Sequence, residues 1–591
     1  MIVREPAAAC PVCGLGMNVQ KTIQRSGRTL AHGSFRVGET VWVCPSGCKQ
    51  EGKPVTARSS HLAQLLLPRS RVGYDVLVYV GCQRFLQYRQ RLEIRADLER
   101  QYGIVLSTGE ISALGQRFLL YLERLHWKGA PTLRAALEAD GGWPLHIDAT
   151  GEDGRGTMVT VLAGWRGWVL SAWKAPTERA EFILPGIQRV AAAFGAPCAL
   201  MRDLGRAMTE AAQQYVQSLE TPIPVLACHQ HFLSDIGEDL LEKGHNQLRD
   251  LFRKIKLLPH LRAFVRQQGR HLGEAIGPGR DALDRWLQAT DHAHPIPQGV
   301  GGITTVRSLA QWVLDYRADG SGQGFPFDLP WLNLYGRCLH LSAALQTFLH
   351  TPPADGKVRR SLETLRRILH PVECDRPPFT SVGDSLAKRA DLFTRLRAVL
   401  RLEDNEPTVK QLKNVQSALK RFTASLRRER PRRGPARDIR QAIDLILAHL
   451  DRHSPHLGGH AIAVPREAGG GVRLVARTNN DLESLFHTIK HGERRRSGRK
   501  ILTQDFEVLP PAAALASNLR HPDYVSLVCG SLDHLAEAFA QLDAPDRSRS
   551  IAAGPRHNNT TTESASLSTR DKQLVRRPIF EDRILAASQC M

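Results

Sequence analysis

The sequence predicts an α/β protein. A mixed-sheet core is interrupted by a large all-helical insertion and preceded by a cysteine-bearing, then helical, amino-terminal region. Three observations predict it. Residues 143–228 alternate short apolar strand patterns with amphipathic helix patterns, in the order β-β-β-α-β-α-β. Residues 237–460 keep helical periodicity without strand alternation. Four of the 11 cysteines fall into two closely spaced pairs near the amino terminus. The expected plan is a zinc-ribbon-like module at 1–60, a helical region at 61–140 and the first part of the core at 141–236. The helical insertion follows at 237–465, the last part of the core at 466–505, a small helical unit at 506–545 and a disordered tail at 546–591.

The chain has 591 residues, 42% hydrophobic and 24% charged, which is a folded composition. Lys plus Arg number 80 against 59 Asp plus Glu, a formal net charge of +21. That excess favours a polyanionic partner, nucleic acid or an anionic surface. No run of eighteen apolar residues exists, so no membrane span is expected. MIVREPAAACPVC has no continuous apolar segment of the secretory kind. The remaining cysteines are scattered singly, as reduced thiols are, and the expected compartment is the cytoplasm.

Cys10 and Cys13 form a CxxC, and Cys44 and Cys48 form a CxxxC. Glycine turns carry both pairs, and the intervening TLAHGSFRVGETVWV reads as short strands with turns. Two chelating pairs brought together across a hairpin supply four thiolates, a donor set that suits structural zinc. His32 is an alternative ligand. Residues 83–126 read as two helices, the first with a stripe of Leu86, Leu92 and Leu98 ending at Gly103. Ser107 and Glu110 have capping-box spacing for the second. The pair has the outline of a helix-turn-helix, with Arg84, Arg91, Arg95, Arg100 and Arg117 as candidate DNA contacts.

In the core, WPLHIDAT is a strand ending in Asp148, and PCALMRD is a strand ending in Asp203. If the first and fourth strands are neighbours, these carboxylates face each other, and like charges so placed call for a shared cation or proton. Oxygen ligands alone point to Mg²⁺ or Mn²⁺. Glu152 and Asp153 follow closely, but they belong to the polar GEDGRG turn, so Asp148 is the preferred ligand. Helix 178–194 has Pro185 as a kink or boundary. After the fifth strand comes CHQHF, where Cys228 and His231 have metal-like spacing but no second pair. An accessory role beside the acids is expected for them.

Within the insertion, RRERPRRGPAR (427–437) is the densest basic segment, and Arg427 and Arg428 are candidate phosphate contacts. In TNNDLESLFHTIKHGERRRSGRK (478–500), Asn480 has cap spacing to Glu483. Glu483 is then a third acid in the first helical turn. Lys490, Arg494, Arg495, Arg496, Arg499 and Lys500 follow as candidate DNA-phosphate contacts.

These three acid segments, HIDATG, MRDLGRAM and RTNNDLESLFHTIKHGERRRSGR, resemble those of the DDE transposases of bacterial insertion sequences. The Cys-x-x-His of CHQHF and the long gap from Asp203 to Glu483 resemble members whose core is split by an all-helical domain. The resemblance covers roughly residues 143–500. It implies a ribonuclease-H-like core and catalysis by Asp148, Asp203 and Glu483 through two Mg²⁺ or Mn²⁺ ions. It further implies cleavage at terminal inverted repeats of double-stranded DNA, joining to target DNA and a homo-oligomer on DNA in a bacterial nucleoid. A nuclease that does not join strands, or an inactive DNA-binding derivative, would carry many of the same features.

Overall fold

The computed structural model describes residues 2–3, 9–50, 52–270, 287–288, 301–375, 378–401, 408–434 and 436–544. The expected disordered tail lies outside them. The chain forms two compact units, one from Met1–Leu226 with Ala461–Met591, the other from Ala227–His460. Among the described residues no helix is long and apolar enough to cross a membrane.

Near its start the first unit carries a hairpin of β1 (Asn18–Thr29) and β2 (Gly33–Val43), paired antiparallel from Asn18↔Val43 to Thr29↔Gly33. The strands are longer than the short ones expected. NVQKTIQRSGRT is mostly polar because the start of β1 is exposed, so no apolar alternation marks it. Gly27 faces Phe35, whose ring would lie 2.3 Å from an added Cβ, so the aromatic ring covers the glycine.

The helices that follow include α1 (Tyr74–Phe85), α2 (Arg91–Tyr102) and α3 (Thr108–Lys128). The first helix expected from sequence is therefore two. Tyr88 takes a left-handed φ of 52°, and the Gln90 amide donates to Glu93 Oε2 at 2.7 Å, restarting the helix. Leu92 is 64% exposed, and Ile94 and Leu98 make the buried stripe instead. The Ser107–Glu110 box closes at 2.8 and 3.1 Å.

The sheet consists of β3 (Pro144–Glu152), β4 (Arg155–Ala163), β5 (Trp168–Lys174), β6 (Ala199–Arg202) and β7 (Val225–Ala227), in the order β7-β6-β3-β4-β5. β3 is central and buried from Pro144 to Asp148. It pairs antiparallel with β4 and parallel with β6. Helices α4 (Ala180–Phe194), which continues through Pro185, and α5 (Arg206–Gln217) flank β6 in the chain.

After the insertion, a small hairpin of β8 (Ala461–Ala463) and β9 (Val472–Leu474) leads to α6 (Asn480–Ser497), α7 (Thr503–Val508) and α8 (Leu535–Leu542). The segment 506–545 is not a separate unit. Phe506, Leu515, Leu519, Tyr524 and Phe539 belong to one hydrophobic core with Ile147, Val161, Leu170, Ile94 and Phe118. Edge strand β5 draws the segment in. Asn518 accepts from the Val169 amide at 2.8 Å and donates to its carbonyl at 2.7 Å, replacing a missing strand neighbour.

The second unit is helical. Its helices include His229–Lys254, Phe379–Leu400, Val415–Glu429 and Arg437–His453. The first of these runs unbroken past residue 237, so the unit begins at 227 rather than 237. Arg389 bridges three of them, pairing with Asp438 and donating to the Leu240 carbonyl at 3.0 Å.

Candidate active site and cysteine centre

The four cysteines converge. Their sulfurs all lie within 4.8 Å of one another, with Cys13 and Cys44 Sγ 3.6 Å apart. Local turns aim them. The Cys10 amide donates to Leu15 O at 2.8 Å, and the Gly47 amide to Cys44 O at 3.2 Å, with Gly14 and Gly47 at φ 73° and 66°. Tetrahedral zinc with bonds of about 2.3 Å separates its sulfurs by roughly 3.8 Å, so the donors fit that ion. Cys10 and Cys44 are buried with Met17 and Val55 in a small core of their own. Hydrogen bonding, first from the Cys48 amide, lowers the Cys44 thiol to about 6. The Cys13 and Cys44 sulfurs push Cys48 up to about 12. His32 stands at the hairpin turn, bonded to Thr29 at 3.2 Å, and is not part of the group.

Asp148 lies within β3, and Asp203 follows the end of its parallel neighbour β6. β6 lies parallel to β3 with Ala199↔Pro144, Leu200↔Leu145 and Met201↔His146. The same register carried two residues further sets Asp203, just past β6, level with Asp148. Side chains alternate along strands, so both acids share the face of His146 and Met201. Asp148 is 6% exposed, and its Oδ1 accepts from the Ala149 amide at 2.7 Å. Asp203 Oδ1 accepts from the Gly205 amide at 3.1 Å, closing the turn into α5.

Glu483 stands in the first turn of α6, a helix tied to β3. The helix is not capped as its spacing suggests. Asn479, not Asn480, is the cap residue, and its side chain makes no cap bond. That side chain is fully buried, donates Nδ2 to the Ile147 carbonyl at 3.1 Å and takes His146 Nδ1 at 3.1 Å on its oxygen. Glu483 lies one turn on, its amide bonded to Asn479 O at 2.9 Å. The three acids are thus carried by β3, the end of β6 and the first turn of α6. Among the described residues their oxygens are not gathered within 4.8 Å of one another as the four sulfurs are. Three carboxylates fit a hard divalent cation in donor type.

The basic run resolves differently from its sequence reading. Lys490 donates to Gly151 O at 2.6 Å and lies 3.5 Å from Glu152. Arg494 pairs with Glu152 at 3.0 Å, Arg496 with buried Glu493, and Arg499 with Asp505 at 3.2 Å. Arg495 and Lys500 are exposed at the end of the run. In the second unit Arg427 pairs with Asp451 at 3.1 Å, and Arg428 is exposed beside it. Cys228 is fully buried ahead of the helix whose first turn holds half-buried His231.

The helical pair loses some of its expected contacts too. Arg84 is 9% exposed, and burial lowers its guanidinium to about 9. Arg100 is held by Asp97 at 2.6 Å, and Arg117 donates to Pro68 O at 3.3 Å.

Sequence reasoning passed over two residues. Glu152, set aside as a turn acid, receives two cations. Arg202 is 1% exposed and donates to the Asp203 carbonyl at 2.6 Å, and burial lowers its guanidinium below its usual range. A charged residue inside the apolar strand PCALMRD was the signal for Arg202.

No family model matches the chain, and no curated protein matches it.

Proposed function

We propose that this protein is a DDE-type transposase with a ribonuclease-H-like core, acting on double-stranded DNA. One observation supports the reading. β3, which carries Asp148, pairs parallel with β6, which Asp203 follows, and Asn479 ties the helix of Glu483 to β3 at Ile147. Asp148, Asp203 and Glu483 would hold Mg²⁺ or Mn²⁺, which when bound activates the attacking oxygen and stabilises the leaving one. Asp148 would supply negative charge from the central strand, Asp203 from just past the end of its neighbour, and Glu483 from a helix that the strand anchors. Arg495 and Lys500 are the exposed bases of the run for the phosphate backbone. Cys10, Cys13, Cys44 and Cys48 would hold zinc in a structural role, since four thiolates leave no open position.

The test is nicking of supercoiled plasmid by the full chain in Mn²⁺. Nicking that D148N, D203N and E483Q each abolish supports the reading. Equal nicking by all three variants would sink it. Joining of labelled 3′-hydroxyl ends to the plasmid separates a transposase from a nuclease that only cuts.

A further inference from the structure

Helix α6 is fastened to β3 at two places, and the two acids lie between them. At one end Asn479 bonds the Ile147 carbonyl and His146. At the other, Lys490 bonds the Gly151 carbonyl, and Lys490 and Arg494 both meet Glu152. Asp148 follows Ile147 on the strand, and Glu483 follows Asn479 by one turn on the helix. The spacings match. From Ile147 to Glu152 the strand covers about 17 Å. From Asn479 to Lys490 the helix covers about 16 Å. Equal spans let both fastenings close at once, and slipping the helix by one turn would break both.

The second fastening is built and shielded. The Glu152 side chain is 15% exposed and that of Lys490 24%. The Lys490 ammonium also stands 5.6 Å from the centre of the Phe506 ring, which restricts where it can swing. Glu152 ends β3 at a register shift between Thr150 and Glu152, where the bulge turns the strand end.

We infer that Glu152 is a positioning residue for the acid site: by holding Lys490 and Arg494 it fixes how far Glu483 stands from Asp148. Lys490 and Arg494 then serve alignment of the acids and not the grip on phosphates that their place in a basic run suggests. The role of the clamp in metal binding rests on the function proposed above. The clamp itself rests on the contacts alone.

The experiment uses the full chain and three readouts. Amide exchange over residues 480–497 reads the clamp. Mn²⁺ affinity, from the free-ion resonance signal, reads the site. Anisotropy of a short duplex over a salt series reads the phosphate grip. E152A is expected to speed exchange in 480–497 and weaken Mn²⁺ about tenfold, the scale of losing a residue that orients a ligand. Duplex affinity should stay within about twofold, because no phosphate contact is removed. The charge-swapped double E152K/K490E should recover part of the Mn²⁺ affinity. Wild-type exchange in E152A overturns the clamp. Faster exchange with unchanged Mn²⁺ affinity overturns its role at the site. A K490A variant that lowers duplex affinity tenfold and flattens the salt slope also overturns it, since Lys490 then grips phosphate. If wild type binds no Mn²⁺ while E152A still loosens 480–497, the metal reading fails and the clamp stands.

Discussion

Asn479 and Ile147 meet through a single buried hydrogen bond, side-chain Nδ2 to main-chain carbonyl at 3.1 Å, across 332 residues of sequence. The bond ties a helix that begins after the insertion to the central strand that precedes it. N479A leaves the Ile147 carbonyl without this donor and the His146 ring without its acceptor. A loss of about 2 kcal/mol in denaturant stability is expected. Mn²⁺ affinity should fall with it. Unchanged urea midpoints would mean that another contact docks α6.

Neutralising the acids should separate chemistry from binding. D148N, D203N and E483Q each are expected to lower metal-dependent nicking at least about a thousandfold. Duplex affinity measured without divalent ions should hold or rise, because a negative charge leaves a surface that faces phosphates. A variant that loses duplex binding in proportion to activity would show misfolding instead.

The cysteine centre predicts one zinc per chain by elemental analysis, and a tetrahedral thiolate spectrum after exchange into Co²⁺. C44S should lose the metal. Removing zinc by chelation should speed amide exchange around the small core of Cys10, Met17, Cys44 and Val55. The strands at 144–174 should stay protected, since they belong to a different core. Zinc-free protein with unchanged exchange near Cys44 would contradict this.

Two buried histidines set an acid limit. Burial holds His126 and His146 down to about 4, against an ordinary 6.5. The unfolded chain takes up these protons near 6.5 and the folded chain only near 4. Stability is therefore lost as pH falls through that window, by about 2 kcal/mol per histidine at pH 5. Urea midpoints at pH 7 and pH 5 read it, and H126Q should reduce the slope. A flat profile would refute it.

Asp543 closes the first unit. It accepts from Tyr74 at 2.5 Å and from Tyr121, and pairs with Arg124 at 3.2 Å. D543A leaves a cation and two hydroxyls without their buried acceptor, and a loss of about 3 kcal/mol is expected. D543N, which keeps an acceptor oxygen, should cost less. Equal effects would assign the stabilisation to packing alone.

Much of the core was legible because its strands are short, apolar and bounded by turns. WPLHIDAT alternates as a strand does and forms β3, and the Ser107–Glu110 spacing reads as a box and closes as one. The long hairpin was less legible because an exposed strand needs no apolar face, and β1 has little of one at its start. The break at Tyr88 lay hidden because no glycine or proline marks it. The segment after 505 read as separate because its helices are locally complete. Only the unsatisfied edge of β5 shows why it packs where it does.

By itself the sequence determined many of the local elements, the excess of positive charge and the donors available for metals: three acids and four cysteines in two pairs; it did not show that β3 runs past Asp148 to Glu152. Tertiary structure decided how those groups are used. It converted Lys490 and Arg494 on α6 from free surface charge into partners of Glu152. The physical reason is distance along the chain. Arg494 and Glu152 are 342 residues apart, and no local period encodes which carboxylate a cation will meet once the sheet and helix have packed.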